Sequence, residues 1–229
     1  MSIIIGIITN NCALGASDGR LHSGAYYEKG IRTKDSEIIQ DDFDKTFVLQ
    51  GTQAIGAVAG TMKIENKIIA DHLEELLKDK IYTPETVIDC LTQGLKEKLE
   101  KISQDEIALE FRKLDLILIN SISGEMKDLK IQARRFHPNS VNSSIEIERI
   151  EILPQMQGYA GWQLFGDDIS QNAINEFLEN ELKKMTYFDE KKLRNLMYKA
   201  IRIGIKVSGK NEDGNDLNCG GKVFVKSLK

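Results

Sequence analysis

The sequence predicts an α+β fold: two mainly antiparallel sheets lie face to face, with a pair of helices over each outer side. That is a four-layer α-β-β-α sandwich forming one domain over residues 1–229. Three observations lead there. The apolar patterning runs in the order strands, two helices, strands, two helices, strand. So few helical crossovers leave most strands to pair as antiparallel neighbours, whereas a doubly wound parallel sheet needs strand and helix to alternate. Three prolines and no low-complexity stretch in 229 residues give no sign of a linker.

Residues 3–9 (Ile3-Ile4-Ile5-Gly6-Ile7-Ile8-Thr9) are apolar almost throughout, as in a strand covered on both faces. Asn10-Asn11 supplies a turn, and residues 12–17 return as a second strand rich in small side chains (Ala13, Gly15, Ala16). Residues 28–44 are polar and charged, and read as a long excursion. Residues 46–49 and 54–59 form a strand pair around Gly51. Apolar residues at helical spacing (Ile64, Ile68, Ile69, His72, Leu73, Leu76) predict a helix over 62–77. A second helix opens at Thr83-Pro84-Glu85-Thr86, an N-cap followed by proline in the first turn, and its apolar face is Val87, Ile88, Leu91, Leu95, Leu99 and Ile102. Strands at 114–119 and 126–133 flank the hairpin signal Ser123-Gly124, and 144–152 alternates through Ile145, Ile147, Ile150 and Ile152. Helices are predicted over 169–185 and from an Asp189 N-cap to about 207, and a last strand over 222–226.

Composition narrows the function classes. The chain is 41% hydrophobic and 29% charged, an ordinary globular balance, with a net charge of -4 and no basic run to bind nucleic acid. Cys12, Cys90 and Cys219 are odd in number and far apart, which fits neither a disulfide framework nor a zinc site, and fits a reducing cytoplasm. The apolar start has no basic residues before it and breaks early into Thr9-Asn10-Asn11, unlike a signal peptide. No stretch is long enough to span a membrane. No metal or cofactor is implied.

Ser2-Ile3-Ile4-Ile5-Gly6 and Ala16-Ser17-Asp18-Gly19-Arg20, in this order of elements, resemble the N-terminal-nucleophile (Ntn) hydrolases. More closely they resemble the proteasome β-subunit family with its bacterial proteasome-like peptidases. There the mature chain begins with a nucleophilic threonine, three mostly apolar residues and a glycine. Ser2 falls at the nucleophile's place and Gly6 at the glycine's. Asp18 and Arg20 match the family's Asp-x-Arg element, with Gly24 shortly after. Ala57-Val58-Ala59-Gly60 resembles the strand-to-helix turn whose glycine N–H serves the oxyanion hole. Asp216-Leu217-Asn218-Cys219-Gly220-Gly221 resembles the family's Asp-x-x-Ser-Gly-Gly, with Cys219 in place of serine.

The resemblance implies an amide-bond (peptide) hydrolase, the Ntn hydrolase fold and a specific chemistry. Removal of Met1 exposes Ser2, whose own α-amine is the base for its hydroxyl. An unperturbed α-amine has a pKa of about 7.7–8.0, so a good share is neutral near pH 7. Asp18 holds a lysine whose ammonium favours the neutral amine. Lys45, just before a strand, is the preferred lysine; this makes residues 28–44 contain an insertion, with Lys34 as second choice. Arg20 and His22 fall where the family contacts substrate, although Arg20 alone reads as a carboxylate partner. Gly158-Tyr159-Ala160-Gly161-Trp162-Gln163 takes the place of a Gly-Ser-Gly, so Trp162 is expected where a small hydroxyl residue supports the amine.

The family also implies a peptide or protein substrate, a closed homo-oligomeric ring and an unfolding ATPase as partner. Two alternatives stand beside the peptidase: a non-catalytic ring or scaffold subunit, which Trp162 favours, and a small-molecule amidase on the same fold. Inactive subunits usually carry a segment ahead of the first strand, and a start at Met1 gives the expectation that none is present here.

Overall fold

The computed structural model describes residues 2–22, 26–28, 31–34, 37–64, 67–78, 80–104, 113–121, 123, 125, 128–139, 144–153, 160–208 and 219–228. It is a mixed α+β structure. Its strands are β1 (Ile4–Ile8), β2 (Ala13–Asp18), β3 (Leu21–His22), β4 (Tyr26–Glu28), β5 (Ile31–Lys34), β6 (Ile38–Gln40), β7 (Thr46–Leu49), β8 (Ala54–Gly60), β9 (Lys63–Ile64), β10 (Lys67–Ile68), β11 (Leu114–Ser121), β12 (Leu129–Pro138), β13 (Ile145–Ile152), β14 (Gly161–Phe165) and β15 (Val223–Ser227). Its helices are α1 (Ile69–Lys78), α2 (Val87–Gln104), α3 (Asp168–Leu182) and α4 (Glu190–Val207).

Every strand pairing among the described residues is antiparallel. One sheet has the order β14-β1-β2-β15 and a second β13-β12-β11-β8-β7. Period-2 geometry sends alternate side chains of β1 to opposite faces. Ile3, Ile5 and Ile7 pack with Ile174 and Leu178 of α3 and with Met197 and Ile201 of α4. Ile4 and Ile8 turn the other way, against Ile55 and Ala57 of β8 and Ile117 and Ile119 of β11. This is why the segment reads as a continuous apolar run: both faces are covered. A third cluster joins Leu73 of α1 and Leu91 and Leu95 of α2 to Leu116 and Leu118 of β11.

The cap forms as the sequence predicts at α4, while the helix expected from Thr83 starts only at Val87, behind a turn over 84–86. Asp189 accepts a hydrogen bond from the Lys192 N–H at 2.8 Å at the start of α4. The Thr83 hydroxyl accepts one from the Thr86 N–H at 3.3 Å, one turn ahead of α2.

Elsewhere the structure departs from expectation. The helix expected over 62–77 starts only at Ile69, because residues 63–64 and 67–68 pair as a short antiparallel hairpin and the Ile69 N–H donates to the Met62 carbonyl at 2.9 Å. Ile64 is still buried in the core, so its apolar spacing served packing and not a helix. The excursion over 28–44 carries β5 and β6, which pair back with β4 and β3, strands that begin ahead of it. β14 went unread in the sequence. The strand expected from 126 begins at Leu129 and extends to Pro138. No helix among the described residues is long and apolar enough to cross a membrane.

Candidate functional site

The site sits where β1 begins and β2 ends. Antiparallel register sets Ile4 against Ser17, so Ile3 stands beside Asp18. The Asp18 N–H donates to the Ile3 carbonyl at 3.1 Å. In return the Ile3 N–H donates to the Asp18 side chain, Oδ1, at 2.8 Å. A carboxylate has thus replaced a backbone carbonyl in the ladder, one residue from Ser2.

Lys45 arrives from the other sheet, immediately ahead of β7, and its Nζ donates to the same Oδ1 at 2.7 Å. Both side chains are fully buried. Oδ2 accepts the backbone N–H of Arg20 at 3.3 Å and of Gly220 at 3.1 Å. Four donors therefore converge on one carboxylate, which is what a buried charge needs to be tolerated. The pairing explains the lysine choice. Lys34 lies on β5 in the two-stranded β4–β5 unit, outside the two large sheets, whereas the chain re-enters the large sheet at Lys45.

The Arg20 guanidinium turns to Asp41, with Nε at 2.6 Å from Oδ1. It lies so close to Gly220 that a Cβ there would collide with it, and the neighbouring Lys222 N–H donates to the Asp41 carbonyl at 2.7 Å. These contacts make Arg20 a brace between the Asp41 segment and the approach to β15. His22 is partly buried on β3, opposite Ile38 of β6.

Gly60 ends β8 at φ +84°, a left-handed conformation, and a Cβ there would strike the Lys113 carbonyl oxygen. Only glycine fits such a position without strain. The Val58 N–H donates to the Lys45 carbonyl at 3.0 Å, so Gly60 lies two residues beyond Lys45's partner, at the same end of the sheet.

Cys219 is buried, and burial pushes its thiol up to about 12, with the negative charges of Asp18 and Asp167 adding to the effect and Lys45 opposing it. The thiol is thus a neutral filler, not a nucleophile. Asp216 lies outside the described residues, as do Gly24, Gly158 and Tyr159.

Trp162 does not stand at the site. It pairs with Ile7, five residues along β1 from Ser2, roughly 16 Å at 3.3 Å per residue. Its indole N–H donates to Asn175 of α3 at 3.0 Å, and the ring packs in the core under that helix. The residue before the third helix that comes close to Ser2 is Gly166, where a Cβ would lie 3.8 Å from the Ser2 carbonyl oxygen, and Asp167 follows it in the chain. Asp167 caps α3, accepting the Ser170 N–H at 2.9 Å and the Ser170 hydroxyl at 2.8 Å. The sequence signal for Asp167 was available in Gly166-Asp167-Asp168-Ile169-Ser170, an N-cap spacing just before an apolar helical run.

Among the described residues no group of three or more His, Cys, Asp or Glu side chains is set to hold a metal ion. The site gathers a serine ahead of a strand, a buried ammonium on the carboxylate that holds the next residue, and a glycine turn at the end of the other large sheet's β8. No protein-family model and no curated protein matches the chain.

Proposed function

We propose that this protein is an N-terminal-nucleophile hydrolase of the proteasome-like kind, cleaving amide bonds in peptides with Ser2 after Met1 is removed. The observation that carries the reading is the buried Asp18–Lys45 pair, with the Ile3 N–H on the same carboxylate oxygen. It fixes the backbone at the residue after Ser2 and puts an ammonium nearby. The three apolar clusters support a four-layer α-β-β-α sandwich: α1 and α2 on one sheet, α3 and α4 on the other, and a shared core between the sheets.

In this mechanism the Ser2 α-amine takes the hydroxyl proton as Oγ attacks the carbonyl carbon. The Gly60 N–H donates to the oxyanion, a contribution of about 2.7–4 kcal/mol for such a donor. The amine then gives its proton to the leaving nitrogen, and the C–N bond breaks to leave an ester on Ser2. Water, deprotonated by the same amine, hydrolyses that ester and restores the hydroxyl. Lys45 and Asp18, paired with each other, hold the chain at the residue after Ser2. The substrate is a peptide or protein, the assembly a homo-oligomeric ring fed by an ATPase, and the compartment the cytoplasm. No metal or cofactor takes part.

The scaffold reading drew on Trp162, whose place under α3 removes that support. The intact mass of the purified protein, before and after a β-lactone, tests the proposal. The expected result is loss of Met1 and one adduct mapping to Ser2, absent in Ser2→Ala. Retained Met1, or an adduct count unchanged in Ser2→Ala, sinks it in favour of a scaffold. A lactone adduct at Ser2 without peptide cleavage points to a small-molecule amidase.

A further inference from the structure

Extending the β1–β14 register by two residues beyond Ile4 and Phe165 sets Ile3 against Gly166 and Ser2 against Asp167. The contacts agree with this: a Cβ on Gly166 would lie 3.5 Å from Ile3 Cγ1 and 3.8 Å from the Ser2 carbonyl oxygen. Residues directly opposite on antiparallel strands have Cβ atoms about 5 Å apart. Asp167 is therefore within reach of the Ser2 α-amine. It is partly buried and firmly oriented, since Oδ1 accepts the Ser170 N–H and Oδ2 the Ser170 hydroxyl. The Ser170 hydroxyl shares its single proton with the Gly204 carbonyl of α4, 3.0 Å away. Oδ2 also accepts the Cys219 thiol at 3.9 Å, so Oδ1 is the oxygen that keeps a lone pair for a further donor.

We propose that Asp167 is the anionic partner of the Ser2 α-amine, a positioning residue that orients it and sets the pH at which it becomes a base. This rests on the reading of Ser2 as the working N-terminus. The described charged groups facing that corner are Asp18 from β2, Lys45 from ahead of β7 and Asp167 from ahead of α3. Cys219, from ahead of β15, is uncharged there. Asp18 and Lys45 cancel, and the Arg20 guanidinium is turned to Asp41. Asp167 is left as the net charge, and a carboxylate beside an amine favours its protonated form. By accepting from the amine, Asp167 also aims the lone pair of the neutral form at the serine hydroxyl.

The test uses the full chain with Ser2 exposed by cleavage from a ubiquitin fusion. The α-amine is titrated through the pH dependence of its acetylation by acetic anhydride, read on the N-terminal peptide by mass spectrometry. Asp167→Asn keeps the helix cap, since asparagine caps as well as aspartate, and removes the charge. Its midpoint is expected about one pH unit below wild type. Asp167→Ser, also a good cap, should move it the same way. The exposed neighbour Asp168, changed to asparagine, should leave it in place. Where β-lactone acylation is measurable, its rising limb moves down with the amine in Asp167→Asn, several-fold faster at pH 6.5. Midpoints that coincide in wild type and both Asp167 variants overturn the proposal and leave Asp167 a cap alone. Wild type that takes no lactone at any pH overturns the nucleophile reading instead, and the amine titration still decides the role of Asp167.

Discussion

Among the described residues Lys45 and Arg134 are the cations that folding removes from water, and they are held in opposite ways. Lys45 meets Asp18 at 2.7 Å, and that carboxylate is completed by three backbone N–H groups. Arg134, on β12 facing α2, reaches Asp89 only at 3.7 Å and Glu151 at 3.8 Å, and both carboxylates are half exposed. One guanidinium nitrogen bonds the Ala133 carbonyl at 3.0 Å, while Nε has no hydrogen-bond partner. Burial, together with the nearby Arg149, pulls the Arg134 guanidinium below its ordinary value. The contrast separates a charge that the fold is organised around from one that packing has covered over. Arg134 is buried head and stem alike, and its head is only partly satisfied.

The largest effect is expected at the organised pair. Lys45→Met leaves Asp18 charged and buried, and should lower unfolding free energy by about 3–5 kcal/mol in urea titrations. Lactone labelling should disappear with it. A loss under 1 kcal/mol would break the comparison at its strong end.

Cys219 sharpens it, because its thiol faces the same pocket. A folded-state value near 12 against an ordinary 9.0 means the fold favours the protonated thiol. That stability is fully present below pH 9 and is lost as pH rises towards 12, by at most about 1.4 kcal/mol per unit. The difference in melting temperature between wild type and Cys219→Ala should therefore change steadily from pH 9 upward and stay constant below it.

Arg134→Met keeps the stem and deletes the loosely held head, so the cost should be under about 1 kcal/mol, or a gain, by the same titration. A loss matching that of Lys45→Met would mean the two buried cations are equivalent. Smallest of all, Asp89→Asn and Glu151→Gln should each shift stability by less than about 0.5 kcal/mol, as exposed partners of a distant charge do.

The same contrast runs through what the sequence disclosed. The double-sided burial of residues 3–8 was legible because β1 is covered on both faces and no polar residue interrupts it. Asp189 was legible as a cap because capping is settled within one turn. The pair Ile64 and Ile68 misled because two short strands can bury the same spacing as a helix. Lys45 was preferred over Lys34 because it precedes a strand, and what separates them in space, the β3–β6 and β4–β5 pairings set apart from the large sheets, is a tertiary matter. β14 escaped notice because Trp162 and Gln163 break the alternation, and its partner lies more than 150 residues earlier on β1. Asp167 was missed with it as a neighbour of Ser2, since only the β1–β14 register, carried two residues further, brings the two together.

The Asp18 carboxylate draws its donors from 2, 15, 27 and 202 residues away along the chain. Closing contacts of such separation comes late and at an entropic cost that local turns do not meet. The site therefore has no fragmentary form: a nascent chain still lacking residue 220, or a molecule with its last strand detached, has a front end but no finished carboxylate. Readiness is thus a logical AND over both ends of the polypeptide, and amide exchange at Ile3 and Gly220 should run at one rate, that of opening the whole molecule.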